Sequence, residues 1–189
     1  MKISVIESNK SSLRFKLSDA SYTTANALRR AMINSVPCLA IDSVTFYENS
    51  STMMDEYVAH RVGQIPIVTP KDYSEGDEVV FSLTAEGPGT VYSKALESSD
   101  KNVDVANEKI PIMKLAENQK LRFDCKAVMK NASNSSKFQP GLATYKMNAE
   151  KEFEFYIEAF GQMPPTEILG RAVNIISNNV KEVYKQMKK

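Results

Sequence analysis

The final stretch of this chain constrains its fold more than any other. Pro164 and Pro165 stand where a helix start tolerates proline, and the pattern then runs as one long helix to about residue 187. Ile168, Leu169, Ala172, Val173, Ile175, Ile176, Val180, Val183, Tyr184 and Met187 cover about half of its circumference at ~100° per residue. A helix that rests on one sheet needs a narrower stripe. A band this wide either lies within a large core of the same chain or packs on its own sheet and on a second surface at once. At the end of a chain of 189 residues, the second arrangement is favoured, and it describes an obligate subunit interface.

The rest of the pattern supplies that sheet. Residues 2–7 and 12–18 alternate apolar and polar around the turn SNKS, which predicts a hairpin with Leu13, Phe15 and Leu17 inward. A helix follows over 22–36, with Ser21 or Thr23 as N-cap and Pro37 as its stop. Residues 38–47 read as a strand. Thr52 and Asp55 are spaced like a capping box ahead of a short helix over 53–62, with Met54, Val58 and Val62 on one side. Pro66 and Pro70 bracket a brief extended piece. Strands are expected at 78–84 and 88–95 around the turn EGPG, then a polar loop over 97–109 and a cleanly alternating strand over 119–130. In KEFEFYIEAF, Phe153, Phe155, Ile157 and Ala159 take one face and Glu152, Glu154, Tyr156 and Glu158 the other. The fold class is therefore α+β. The first and last thirds form one discontinuous unit of antiparallel sheet and two main helices, and a mostly β insert interrupts it.

Few residues here offer catalytic chemistry. His60 is the one histidine, and Cys38 and Cys125 lie far apart with no CxxC pair. A Cys–His nucleophilic pair remains an alternative, but Cys125 sits on the apolar face of a strand and Cys38 is flanked by apolar residues. One histidine and two scattered cysteines do not make a zinc ligand set. Glu152, Glu154 and Glu158 read as the wet side of a strand, and GPG at 87–89 lacks the GK[ST] of a phosphate loop. Catalytic, metal and cofactor-binding residues are all read as none. With 24 Lys+Arg against 23 Asp+Glu, the chain lacks the basic excess of a protein that grips nucleic acid alone. No apolar run approaches the ~18 residues of a membrane span, and MKISVIES lacks the apolar region of a signal peptide. The expected location is the cytoplasm.

The first helix offers something else. Counting ~100° per residue from Ala25, Leu28, Met32 and Val36 fall within about 60° of it, Arg29 at about 40° and Arg30 near 140°. One arginine sits on the buried stripe and its neighbour points away. Either Arg29 runs its head out to water along apolar surface, or the helix offers planar donors to another chain.

At these residues a resemblance enters. ANALRRAMINSVPCLAIDSV, residues 25–44, resembles the alpha-type motif of multisubunit RNA polymerases. STMMDEYVAHRVGQIPIV, residues 51–68, is similar to its companion DE-x-x-AHR-x-G-x-IP signature. SSKFQPGLATYKM (135–147) and FGQMPPTEILGRAVNII (160–176) resemble the return to the first domain and the start of the terminal dimerisation helix. The order of motifs resembles that of the D-type subunit of archaeal DNA-directed RNA polymerase. That subunit is the counterpart of the third-largest subunit of eukaryotic RNA polymerase II and of bacterial alpha.

The resemblance implies a dimerisation domain over 1–48 and 145–189 and an insert domain over 49–144. It implies a non-catalytic platform that pairs with the smaller subunit L, then docks the second-largest and largest subunits and the small subunits N and P. DNA is met only through the assembled complex. Carried onto this sequence, large-subunit docking falls to Asn26, Arg29 and Arg30. The heterodimer interface falls to Leu28, Met32, Ile168, Leu169, Ala172, Ile175, Ile176, Val180, Val183 and Met187. Many archaeal relatives hold an iron–sulfur cluster in an extra ferredoxin-like domain, but here the insert has only Cys125, and a cluster needs about four thiolates. Neither cluster nor zinc is expected. A homodimeric alpha-like scaffold is the second alternative.

Overall fold

The computed structural model describes residues 1–188. In chain order its elements are β1 (Lys2–Ser8), β2 (Ser12–Ser18), α1 (Tyr22–Arg30), β3 (Cys38–Asn49), α2 (Asp55–Gly63), β4 (Glu78–Glu86), β5 (Gly89–Tyr92), β6 (Glu97–Ser98), β7 (Pro111–Leu115), β8 (Lys120–Lys130), β9 (Gly141–Ala149), β10 (Glu152–Ala159) and α3 (Pro165–Met187). No helix among the described residues is long and apolar enough to cross a membrane. The chain divides into two compact units, one formed by Met1–Pro37 with the residues from Asn131 onward, the other by Cys38–Lys130. These divisions fall at 37/38 and 130/131; the boundaries that the resemblance implies lie at 48/49 and 144/145. β3 pairs with β8 along its length, from Cys38↔Lys130 to Asn49↔Leu121, so the whole strand belongs to the second unit.

The first unit is an antiparallel sheet in the order β1-β2-β10-β9 with α1, its continuation and α3 packed on one face. Alternation fixes that face. Leu13, Phe15 and Leu17 lie directly opposite Ile157, Phe155 and Phe153, and all six are buried. Phe15 and Phe155 stack with ring centroids 4.9 Å apart and planes 4° from parallel. The outer face is ionic: Lys16 meets Glu152 at 2.8 Å, and Glu154 lies 3.5 Å from Arg14 and 3.2 Å from Lys146. The carboxylates of β10 are thus the wet side of a strand. β9 is not recognisable in the sequence, because its inward positions include Gly141 and Ala143 while the apolar Leu142 and Met147 are exposed, so burial does not follow side-chain polarity.

The second unit is a sheet in the order β3-β8-β4-β6, with α2 against β3 and a two-stranded ribbon, β5-β7. Its core gathers Leu39 and Ile41, Val58 and Val62, Phe81 and Leu83, and Leu121, Phe123 and Cys125. The opposite face carries cross-strand pairs, Lys130–Asp42 at 2.8 Å, Lys126–Glu78 at 2.8 Å and Lys120–Glu86 at 2.7 Å. In the turn between β4 and β5, a Cβ on Gly87 would collide with the Ala116 carbonyl, so only glycine fits. Alternation does not reveal β7, which is short and opened by proline, or β6, whose two residues pair with β4 at the start of the stretch expected as a loop.

α2 corrects two expectations. It begins at Asp55, with Met54 as an extended N-cap that makes no side-chain capping bond. The Thr52–Asp55 capping box does not form; Asp55 instead accepts a hydrogen bond from Asn49 Nδ2 at 2.7 Å. Val58 and Val62 are buried as expected, but Met54 is 68% exposed, because its non-helical backbone takes it off the stripe.

Candidate interaction surface

α1 places the first group of residues named from the sequence. Ser21 caps it, accepting from the Thr24 amide at 3.1 Å. Ala25 and Leu28 are buried and turn the helix so that Asn26 and Arg30 face solvent, with Arg29 half-buried. The helix does not run to residue 36 in one geometry. After Arg30 it widens into a π-helical turn, Ala31–Ser35, and it ends as Val36 becomes extended ahead of Pro37. Such turns occur often at functional positions. Here the turn keeps Ala31, Met32 and Val36 all buried.

The two arginines are not equivalent. Arg29 Nη2 donates to Asn26 Oδ1 at 3.1 Å, so the half-buried guanidinium is held on its own helix. Arg30 is exposed and makes no hydrogen bond, ion pair or ring contact among the described residues. The other arginines are all engaged. Arg14 lies near Glu154, Arg61 donates to the Pro111 carbonyl at 2.8 Å, Arg122 stands over the Tyr47 ring and Arg171 bridges to Glu167 at 2.6 Å.

α3 supplies the second group. Pro164 is its N-cap and Pro165 its first residue, where a missing amide costs nothing. Ile168 and Ala172 are buried, Leu169, Ile175 and Ile176 are half-buried, and Leu28 and Met32 lie wholly in the same core. From Ser177 onward every described side chain of the helix is exposed. Val180, Val183 and Tyr184 stand 63, 58 and 57% exposed, and Met187 reaches 80%. About three turns of helix carry an apolar stripe that nothing in the unit covers. On the polar side of the same segment Glu182 bridges to Lys185 at 2.6 Å, and Lys188 stands over the Tyr184 ring at the margin of the stripe.

β1 adds residues that the sequence does not single out. Ile3 and Val5 lie opposite Leu17 and Phe15 and so point to the core side of the sheet, yet they are 49 and 62% exposed. Alternation in KISVIES marks them as inward, but only the strand order shows that they lie at an uncovered edge.

The Cys–His alternative finds no geometry. His60 is exposed on α2 and engages no partner among the described residues. Cys125 is buried, and burial, with the charge of Asp124 adding to it, pushes its thiol up to about 12. Cys38 is buried as well. In the second motif, Arg61, Val62 and Gly63 serve the fold, while Glu56 and His60, one turn apart, face solvent.

Comparison with known proteins then places the chain. Residues 41–141 match the family described as the RNA polymerase Rpb3/RpoA insert domain. The chain is similar to DNA-directed RNA polymerase subunit Rpo3 of Methanocaldococcus jannaschii, 45% identical over 163 residues, covering 86% of this chain and 84% of that protein. It is also similar to subunit Rpo3 of Pyrococcus furiosus, 42% identical over 77% of this chain and 59% of that protein. The Rpo3 of Halobacterium salinarum is 44% identical over 69% of this chain and 52% of its own length. The chain thus spans little more than half of the longer relatives. A match over more than half of its residues, and 45% identity across most of a relative's length, mean that this chain belongs to the Rpo3 family of DNA-directed RNA polymerase subunits.

Proposed function

We propose that this chain is a non-catalytic assembly subunit of DNA-directed RNA polymerase, equivalent to the D-type subunit of the archaeal enzyme. The observation that carries the reading is the second half of α3, an apolar stripe with no cover in its own unit. Leu28, Met32, Ile168 and Ala172 are used in the chain's own core, so the interface proposed for the smaller subunit L narrows. It consists of Val180, Val183 and Met187, with Leu169, Ile175 and Ile176 at its margin and Ile3 and Val5 as an addition. Burying the exposed parts of Val180, Val183, Tyr184 and Met187 contributes on the order of 4 kcal/mol. That is a fraction of what association costs, which is why a wider surface, above about 2,000 Å² in total, is expected.

The unit built from both chain ends acts as the dimerisation domain and the unit between as the insert. The L-bound chain presents Asn26, Arg29 and Arg30 to the second-largest subunit, and the platform gathers the largest subunit and the small subunits N and P. Nucleotidyl transfer is carried out elsewhere in the complex, and DNA is met there. The chain holds no iron–sulfur cluster or zinc; with Cys38 and Cys125 as its only cysteines, it lacks the thiolates for either.

Native mass measurement of the chain co-expressed with the smaller subunit tests the reading. A 1:1 heterodimer is expected, with the double substitution Val180→Asp, Val183→Asp abolishing it. A stable monomer, or a homodimer that ignores the smaller subunit, overturns the reading.

A further inference from the structure

We propose that an extended segment of another polypeptide docks in the groove beside β4 in the second unit, adding a strand to the free edge of that sheet. The site uses none of the residues proposed for assembly. The register of β4 defines the edge. It pairs with β8 along its whole length, from Glu78↔Val128 to Glu86↔Lys120, without a bulge. On its other side β6 covers only Phe81 and Ser82. The Ser99 amide donates to the Val80 carbonyl at 2.9 Å on the β6 side, and the Gly87 amide to the Gln119 carbonyl at 2.8 Å on the β8 side. Even-numbered residues of β4 thus turn their backbone groups toward β6, and odd-numbered ones toward β8. Past β6, the N–H and C=O of Thr84 and Glu86 have no strand beside them among the described residues.

β5 lines the same groove. Its one partner strand among the described residues is β7, and the Ser93 amide donates to the Ile110 carbonyl on that side at 2.8 Å. Thr90 and Tyr92 therefore turn their backbone groups to the opposite edge. The groove encloses about 870 Å³, within the range of ligand sites. The length of β4 left bare, Leu83 to Glu86, spans about 13 Å.

The chemistry of the groove identifies the occupant. Free donors and acceptors at strand spacing are matched by the backbone of another strand. Ala85, Pro88, Val91, Tyr92 and Ala95 give the lining its apolar part, which suits the side chains of such a strand. The charges nearby are largely spent within the unit: Glu86 meets Lys120 at 2.7 Å and Lys94 meets Glu108 at 3.8 Å. Nucleic-acid phosphate would need a cluster of free cations. The other edge of the sheet supplies a contrast. β3 carries the extra residues Asp42 and Tyr47, which bulge out of the β8 register, and bulges guard an edge against pairing. The bare part of β4 has no such guard.

The test selects binders from a displayed library of random heptapeptides on the full chain and measures the best of them in solution. In the free chain, hydrogen exchange should be fast at the Thr84 and Glu86 amides and slow at Leu83 and Ala85. The selected peptide should slow exchange at Thr84 and Glu86. N-methylation of its alternate residues should weaken binding about tenfold or more. Thr84→Pro should do the same, since proline on a free edge removes a donor and leaves the β8 ladder intact. A melting temperature close to native confirms the fold of that variant; if it does not fold, the N-methylated peptides carry the same test. The proposal is overturned if no peptide is selected, or if Thr84 and Glu86 exchange slowly without one. It is equally overturned if the bound peptide leaves their exchange unchanged, or if N-methylation has no effect, which would mean recognition by side chains alone. An oligothymidylate that displaces the peptide and binds more tightly would make nucleic acid the occupant, and would also overturn it.

Discussion

At the scale of single residues, the chain separates side chains that the fold consumes from side chains it leaves available. Phe15, Phe155 and Cys125 belong to the first class, Arg30 and Val183 to the second. Cys125 shows what burial does to reactivity. Its thiol, pushed up to about 12, stays protonated at neutral pH, and only the thiolate is a nucleophile. Alkylation of the folded protein at about pH 7 with a small iodoacetamide reagent should therefore be slow at Cys125, and should accelerate many-fold on denaturation. Fast alkylation of the native chain would revive the Cys–His alternative. Helical spacing alone places Arg30 outward and Arg29 toward the core. It does not foresee that Arg29 is held by Asn26, since that bond depends on rotamers the spacing leaves open.

At the scale of elements, the ends carry more of the outcome than the middles. α2 illustrates this. Its start is organised by Asn49, whose Nδ2 donates to the Met53 carbonyl at 2.9 Å and to Asp55 Oδ1 at 2.7 Å, while its Oδ1 accepts from the Ser51 amide and hydroxyl. One side chain from the end of β3 thus takes the role expected of a capping box. Asn49→Ala should cost about 1–2 kcal/mol, read as a lower urea midpoint with unchanged slope. A midpoint equal to the native one would show that Asp55 orders the turn unaided. α1 teaches the same lesson. Its apolar spacing predicts one helix to residue 36, and the chain instead widens after Arg30, in a turn that lies against α3 with Ala31 and Met32 buried; propensity does not register such packing. β10 and β8 are legible because alternation over many residues has one reading. β7 and β9 are not, since β7 buries the adjacent Ile112 and Met113 and β9 turns Gly141 and Ala143 inward and Leu142 outward.

At the scale of the whole molecule, the consequence is a chain that is incomplete alone. The stripe Val180, Val183, Tyr184, Met187 is an exposed apolar surface of the kind that marks an interface or an aggregation hazard. The isolated chain should self-associate as concentration rises, measured by light scattering, and Val180→Asp with Val183→Asp should return it to a monomer with its melting temperature within a few degrees of native. A native chain that stays monomeric at high concentration would count against the interface. The sequence by itself determined which side chains are apolar and at what period, and therefore that α3 carries more apolar circumference than one sheet can cover. It also held the motifs by which the chain resembles polymerase subunits. Only the tertiary structure decided how that excess is divided, with Ile168 and Ala172 buried and the segment beyond Ser177 left bare. It alone set Ile3 and Val5 at an open edge. The physical reason is that periodicity is a property of neighbours along the chain, whereas coverage depends on strand order and on where the sheet stops, which are settled by contacts between residues far apart in sequence.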